Sequence, residues 1–199
     1  MRIHRYFAAI VLLTLATASC ADDFQKGLDA YNSADYETAL AIWQPLAEAG
    51  DVGSQYGLGM MYGNGFGVNM DDALALKWYG LAADKGHAAA QYKLAVMHQN
   101  GWGVPPNEEE AVRLYTLAAE QGVGEAMSAL GRHYAMDFSE AYNPVEAYKW
   151  YTIAAMLNEM DATAKRDLVA AKMSAEQIAE GTERVEAWST DHEELLARE

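Results

Sequence analysis

KWYGLAADKGHAAAQYKLAVMHQNGWGV, residues 77–104, holds every kind of position on which the reading of this chain rests. Tyr79, Ala82, Ala83 and Gly86 are spaced by three and four, as residues on one buried helical face are. Gly86 is a suitable helix stop, because glycine takes the left-handed conformation at little steric cost. A second helical pattern follows through Leu94-Ala95 and His98, and the glycines of QNGWGV (99–104) then allow the chain to reverse.

Thirty-six residues to either side the same positions recur. Gly50, Gly86 and Gly122 form one column; Ala39, Ala75, Ala111 and Ala147 form another, and Ala47, Ala83, Ala119 and Ala155 a third. Trp43, Tyr79, Tyr115 and Tyr151 make an aromatic column, and GNGFGV (63–68) aligns with QNGWGV. A fixed period of this length predicts hairpins of helices stacked as a solenoid, each burying the apolar face its neighbour exposes.

Asp35, Asp71, Asn107 and Asn143 share a column and are expected to cap the second helix of each hairpin, worth about 1 kcal/mol each. Glu110 and Glu146 three residues on suggest capping boxes, and Pro144 suits a first helical position. In the last period Asn158 replaces the terminal glycine, and the linker MDFSEAYNP (136–144) has none, so its backbone should differ. Beyond 158 one helix is expected over 161–172 and another from the capping-box start at Ser174 to about Leu196. Leu168, Ile178, Val185, Trp188 and Leu195 are its expected apolar anchors.

Leu58-Gly59, Leu94-Ala95 and Leu130-Gly131, the Tyr62/His98/Tyr134 column, Gly-x-Gly-Val, the capping Asp or Asn, and Trp-Tyr followed by Ala-Ala and Gly together resemble Sel1-like repeats. The likeness covers roughly residues 24–158, and GLDAYNSADYETALAIWQPLAEAG (27–50) looks equally like a tetratricopeptide hairpin. The resemblance implies an all-α, right-handed solenoid of helix-turn-helix repeats with a C-terminal helical cap. It says little of function, because fold and function are loosely tied. Some Sel1-like proteins bind β-lactams through a cysteine-rich, disulfide-stapled framework; with one cysteine this chain lacks that feature, so a hydrolase is only a remote alternative.

Residues 1–20 read as a bacterial export signal: Arg2, His4 and Arg5 precede an apolar run too short to span a membrane, and small residues follow. The domain organisation expected is therefore a signal peptide at 1–20, four hairpins over 22–158 and capping helices over 159–199. Cys20 lies at the cleavage zone and is a candidate for lipidation, the one route to membrane attachment; otherwise the protein is expected in the periplasm. A net charge of −15 without a basic cluster disfavours nucleic acid as a partner.

No catalytic or metal-binding constellation emerges, and no cofactor is expected. His87, His98, His133 and His192 lack ligand spacing; His98 reads as a packed, hydrogen-bonded residue, and Ser54 as part of a helical first turn. What remains is a surface. By the tetratricopeptide likeness the first helices line the concave side, presenting Tyr56, Met60, Asn64, Tyr92, Val96, Gln99, Asn100, Ser128 and Arg132, with Phe24, Leu28 and Tyr31 from the opening hairpin. Such residues suit an extended peptide or helix, so the expected role is a non-enzymatic scaffold or regulator in the bacterial envelope that binds a protein or peptide. The alternative is a binder of peptidoglycan or another envelope glycan, stacking sugars on Phe66, Trp102 and Tyr142.

Overall fold

The computed structural model describes residues 22–137 and 139–197; the leader and Cys20 lie outside them. The described residues are helical without strands. In order come α1 (22–32), α2 (Tyr36–Glu48), α3 (Val52–Asn64), α4 (Asp72–Asp84), α5 (Ala88–Asn100), α6 (Glu108–Ala119), α7 (Gly124–Ala135), α8 (Pro144–Met156), α9 (Ala162–Ala170), α10 (Ala175–Asp191) and α11 (Glu193–Leu196). Their contacts gather into two compact units. One runs through Ala90 and takes in Gly101–Pro105; the other comprises Gln91–Asn100 and everything from Pro106 on.

The helix starts follow from their caps. Asp35, Asp71, Asn107 and Asn143 each accept the amide three residues on, and Pro144 occupies the first turn of α8. The expected capping boxes at α6 and α8 do not form: Glu110 instead grips Arg113 at 2.6 and 2.8 Å, and Glu146 pairs with Arg184. A long basic side chain offers these carboxylates a charge-assisted bond, which is stronger than one to a backbone amide. Only Ser174 and Gln177, at the start of α10, form a reciprocal box among the described helices.

The linkers share one closure. The amides of Asp71, Asn107 and Asn143 donate to the carbonyls of Tyr62, His98 and Tyr134, each at 2.9 Å. In the first two linkers, two positive-φ glycines make the reversal; at Gly67 an added Cβ would lie 2.5 Å from that of Tyr36. Residues 136–143 reach the same closure with no positive φ among those described, starting from an extended Met136. At the other end of the hairpins Gly50, Gly86 and Gly122 have φ of 97°, 84° and 90°, and Asn158 follows them at 59°.

In the first unit Trp43 is wholly buried among Ala39, Ala47, Leu58 and Met61. Phe24 and Tyr31 pack on its ring at 6.0 and 5.5 Å, and Leu28 joins the same core. These three residues therefore do not form the exposed binding surface expected of them, because the broad indole of Trp43 draws α1 inward. Tyr79 lies against Gly59, and burial pushes its phenol pKa up. His87 accepts the Ala90 amide at 3.2 Å in the first turn of α5 and stacks on Tyr56 at 4.6 Å.

In the second unit Tyr115, Met127, Leu130, Tyr151 and Ile153 are buried between α6, α7 and α8. The tail packs on α8 through α9 and α10. Val185 and Trp188 anchor α10, and the Trp188 indole donates to Glu120 Oε2 at 3.1 Å. Leu168, expected to be an anchor, is instead 71% exposed, since α9 turns Ala162 rather than Leu168 into the core. The last helical stretch also breaks at His192, whose ring stacks on Trp188 at 4.1 Å while bonding the Trp188 carbonyl and Glu120.

Two outcomes test this packing. At Gly131 an added Cβ would lie 2.7 Å from the Tyr151 ring, whereas Ala95 fills the equivalent register position one period earlier. Gly131→Ala should therefore change stability by no more than about 1 kcal/mol, helix propensity offsetting the crowding, and Gly131→Val should cost about 1–3 kcal/mol; urea unfolding reads the difference. Burial holds the His87 imidazole below its ordinary pKa of 6.5, an interaction with its own backbone opposing in part. The stability this histidine contributes is thus complete above that value and is lost as pH falls below it toward the folded-state pKa. Thermal melts of His87→Asn, which can cap without titrating, should fall less between neutral and mildly acidic pH than those of the parent.

Candidate functional site

A cleft of about 510 Å³ opens within the second unit. Tyr92, Val96, Gln99 and Asn100 of α5 line one wall, and Glu125, Ser128 and Arg132 of α7 another. Tyr115 and Tyr151 give it an aromatic floor; Glu159, between α8 and α9, and Lys165, on α9, complete it. The volume is that of a site for a small ligand or a short stretch of peptide.

Helical spacing explains the walls. Tyr92, Val96 and Gln99, and likewise Glu125, Ser128 and Arg132, recur at three and four and so share one face. Tyr115 Oη donates to Gln99 Oε1 at 2.9 Å, and the Arg132 guanidinium donates to the same oxygen at 3.3 Å. Tyr92 rests on Tyr115 with ring centroids 5.9 Å apart. Asn100 donates its amide to the Val96 carbonyl at 2.8 Å, as Asn64 does to Met60 at 2.7 Å, so both asparagines satisfy the ends of their own helices.

The electrostatics are mixed. Burial pushes the Tyr115 phenol up to about 12, Tyr92 adding to the shift and Arg132 opposing it. Burial likewise raises Tyr92, with Glu125 reinforcing and Arg132 resisting. Glu159 is raised by burial first and by Glu125 next, while Lys165 pulls it back. At neutral pH the phenols are therefore protonated donors between two cations and two carboxylates.

The cleft thus assembles Tyr92, Val96, Gln99, Asn100, Ser128 and Arg132 of the expected surface. Tyr56, Met60 and Asn64 lie on α3 of the first unit; Tyr56 is half-buried against His87 and Tyr79. Six lining residues were not read as site residues: Tyr115, Ala129 and Tyr151 are also core, while Glu125, Glu159 and Lys165 stand where the repeat has no charge column. Their signal was that departure from the register. Of the histidines, His133 meets Glu108 at 2.9 Å, and His98 is packed but leaves its buried Nδ1 without the expected hydrogen bond. Among the described residues no group of three histidine, cysteine or acidic side chains is placed to hold a metal ion.

A smaller cavity of about 310 Å³ lies in the same unit beside Tyr142, Leu168, Val169 and Lys172. Of the aromatic platforms read from the sequence, Trp102 is 50% exposed and Tyr142 lines this cavity. Phe66 is withdrawn from that role, for it stacks on Tyr36 at 5.0 Å.

The Sel1 repeat family model matches residues 52–87, 88–123 and 124–159 in unbroken succession, more than half of the chain. The chain belongs to the Sel1 repeat family. It is similar to the crystal structure of c5321, a protective antigen present in uropathogenic Escherichia coli strains displaying an SLR fold: 28% identity and a TM-score of 0.72, over 81% of this chain and 35% of that one. A Sel1 repeat protein from Oxalobacter formigenes is 30% identical with a TM-score of 0.69, over 73% of this chain and 60% of its own. The chain thus spans less than two thirds of either relative. No curated protein matches it. These likenesses establish the all-α solenoid class read from the register, a class whose members generally act as non-enzymatic scaffolds that bind other proteins.

Proposed function

We propose that this chain is a non-enzymatic scaffold or regulator of a bacterial cell envelope, holding an extended segment of a partner protein in the cleft of its second unit. One observation carries the reading. Side chains that break the 36-residue register converge there: Arg132 stands where the earlier repeats have Met60 and Val96, and Gln99 where the repeats before and after it have Gly63 and Ala135. Packing explains columns that repeat, whereas polar side chains that depart from them and meet in one cleft are better explained by something they contact. Tyr56, Met60 and Asn64 hold the matching register positions on α3 and are proposed as partner contacts of the first unit in its own right.

A photo-crosslinking side chain placed at Val96 in cells should capture one defined protein, and the same side chain at exposed Glu109 should not. Equal capture at both positions, or none at Val96, contradicts the site. Export by residues 1–20 belongs to the same proposal: protein recovered from the periplasm or an outer-membrane fraction should begin at or after Cys20 by intact mass, and an added acyl mass would mark lipidation. A full-length chain retained in the cytosol speaks against it.

The exposed Trp102 indole supports a second reading, in which an envelope glycan is the ligand. Titration with muropeptides should then quench tryptophan fluorescence; an unchanged spectrum removes that alternative.

A further inference from the structure

We infer that the cleft of the second unit recognises a single side-chain carboxylate, from an aspartate or glutamate inside an extended partner segment, seated on the Arg132 guanidinium. The inference rests on the reading of this cleft as the partner site and gives that partner its chemistry.

Arg132 differs from the other described arginines. Arg113, Arg166 and Arg184 each pair with a carboxylate of this chain, in keeping with 29 acidic residues against 14 basic ones. Arg132 forms no such pair among the described residues. Its hydrogen bond runs to Gln99 Oε1 at 3.3 Å, a neutral oxygen already engaged by Tyr115 at 2.9 Å. A guanidinium carries five N–H donors in a planar fork matched to a carboxylate, so most of its capacity is left for a ligand. Gln99, held in turn by the Tyr115 hydroxyl, keeps the fork at the cleft wall.

Lys165, which also forms no ion pair within 4 Å among the described residues, supplies a second positive charge on the lining. Glu125 and Glu159 balance the two cations. A cleft of two positive and two negative charges, on a chain of net charge −15, favours one carboxylate at Arg132 and repels a polyanion. Acidic runs and doubly charged phosphoryl groups are thereby disfavoured relative to one acidic residue among uncharged or basic neighbours. The Tyr92 ring and Val96 provide apolar contact beside that residue.

The test is selection of C-terminally amidated random heptapeptides on the immobilised full chain, followed by anisotropy titration of the selected peptides. One position should be enriched in aspartate or glutamate, and replacing that residue by asparagine or glutamine should weaken binding about tenfold or more. Arg132→Gln, with unchanged helicity and melting, should bind the acidic and amide peptides alike, and Arg132→Lys should recover part of the preference. The inference is overturned by a preference that survives Arg132→Gln, by enrichment of acidic runs or phosphoserine, or by binding that needs a free C-terminus. Peptides selected without an acidic position overturn it while leaving the cleft as a peptide site; failure to select any peptide, together with no crosslink from Val96, removes both readings.

Discussion

Tyr79 and Tyr151 press so closely on the preceding first helix that a methyl group at Gly59 or Gly131 would sit 2.5 or 2.7 Å from the ring. Each hairpin is set by that approach. An aromatic ring laid flat on helix backbone buries a large apolar area, and this requires a very small residue beneath it and alanines alongside. The Leu-Gly and Leu-Ala pairs, the alanine columns and the aromatic column are thus one constraint seen in several places. Caps and linkers then fix where each helix begins, through the recurring bond from the capping residue back to the carbonyl nine residues earlier.

Because the constraint repeats, most of the fold was legible in the sequence. Helix starts at Asp35, Asp71, Asn107 and Asn143, stops at the glycine column and the burial of Tyr79 and Tyr115 all follow from residue types at fixed spacing. What escaped reading was non-periodic. Whether Glu110 bonds its cap or Arg113 is a contest between two local partners, and the sequence holds both. Leu168 looked like an anchor because it is apolar, but only the rotation of α9 decides which face turns inward, and Ala162 takes that place. Phe24, Leu28 and Tyr31 were drawn to the core by Trp43, whose size departs from the tyrosines of its column.

The candidate site was half legible for the same reason. Register positions on α5 and α7 foretold Tyr92, Val96, Gln99, Ser128 and Arg132. Lys165 and Glu159 come from the segment where the repeat gives way to the tail, and no periodic argument places them across from α5. On the proposed reading, fold and specificity rest largely on different residues: the former uses columns that recur, and the latter is assigned to charges that do not. Such a division allows a scaffold to change its partner without disturbing the packing of its hairpins.

Amide hydrogen exchange of the full chain, with and without the protein captured from Val96, tests the central claim most directly. The account predicts new protection over residues 91–100 and 124–135, lost when Arg132 is replaced by glutamine. Protection confined to other segments, with these two unchanged, would contradict it.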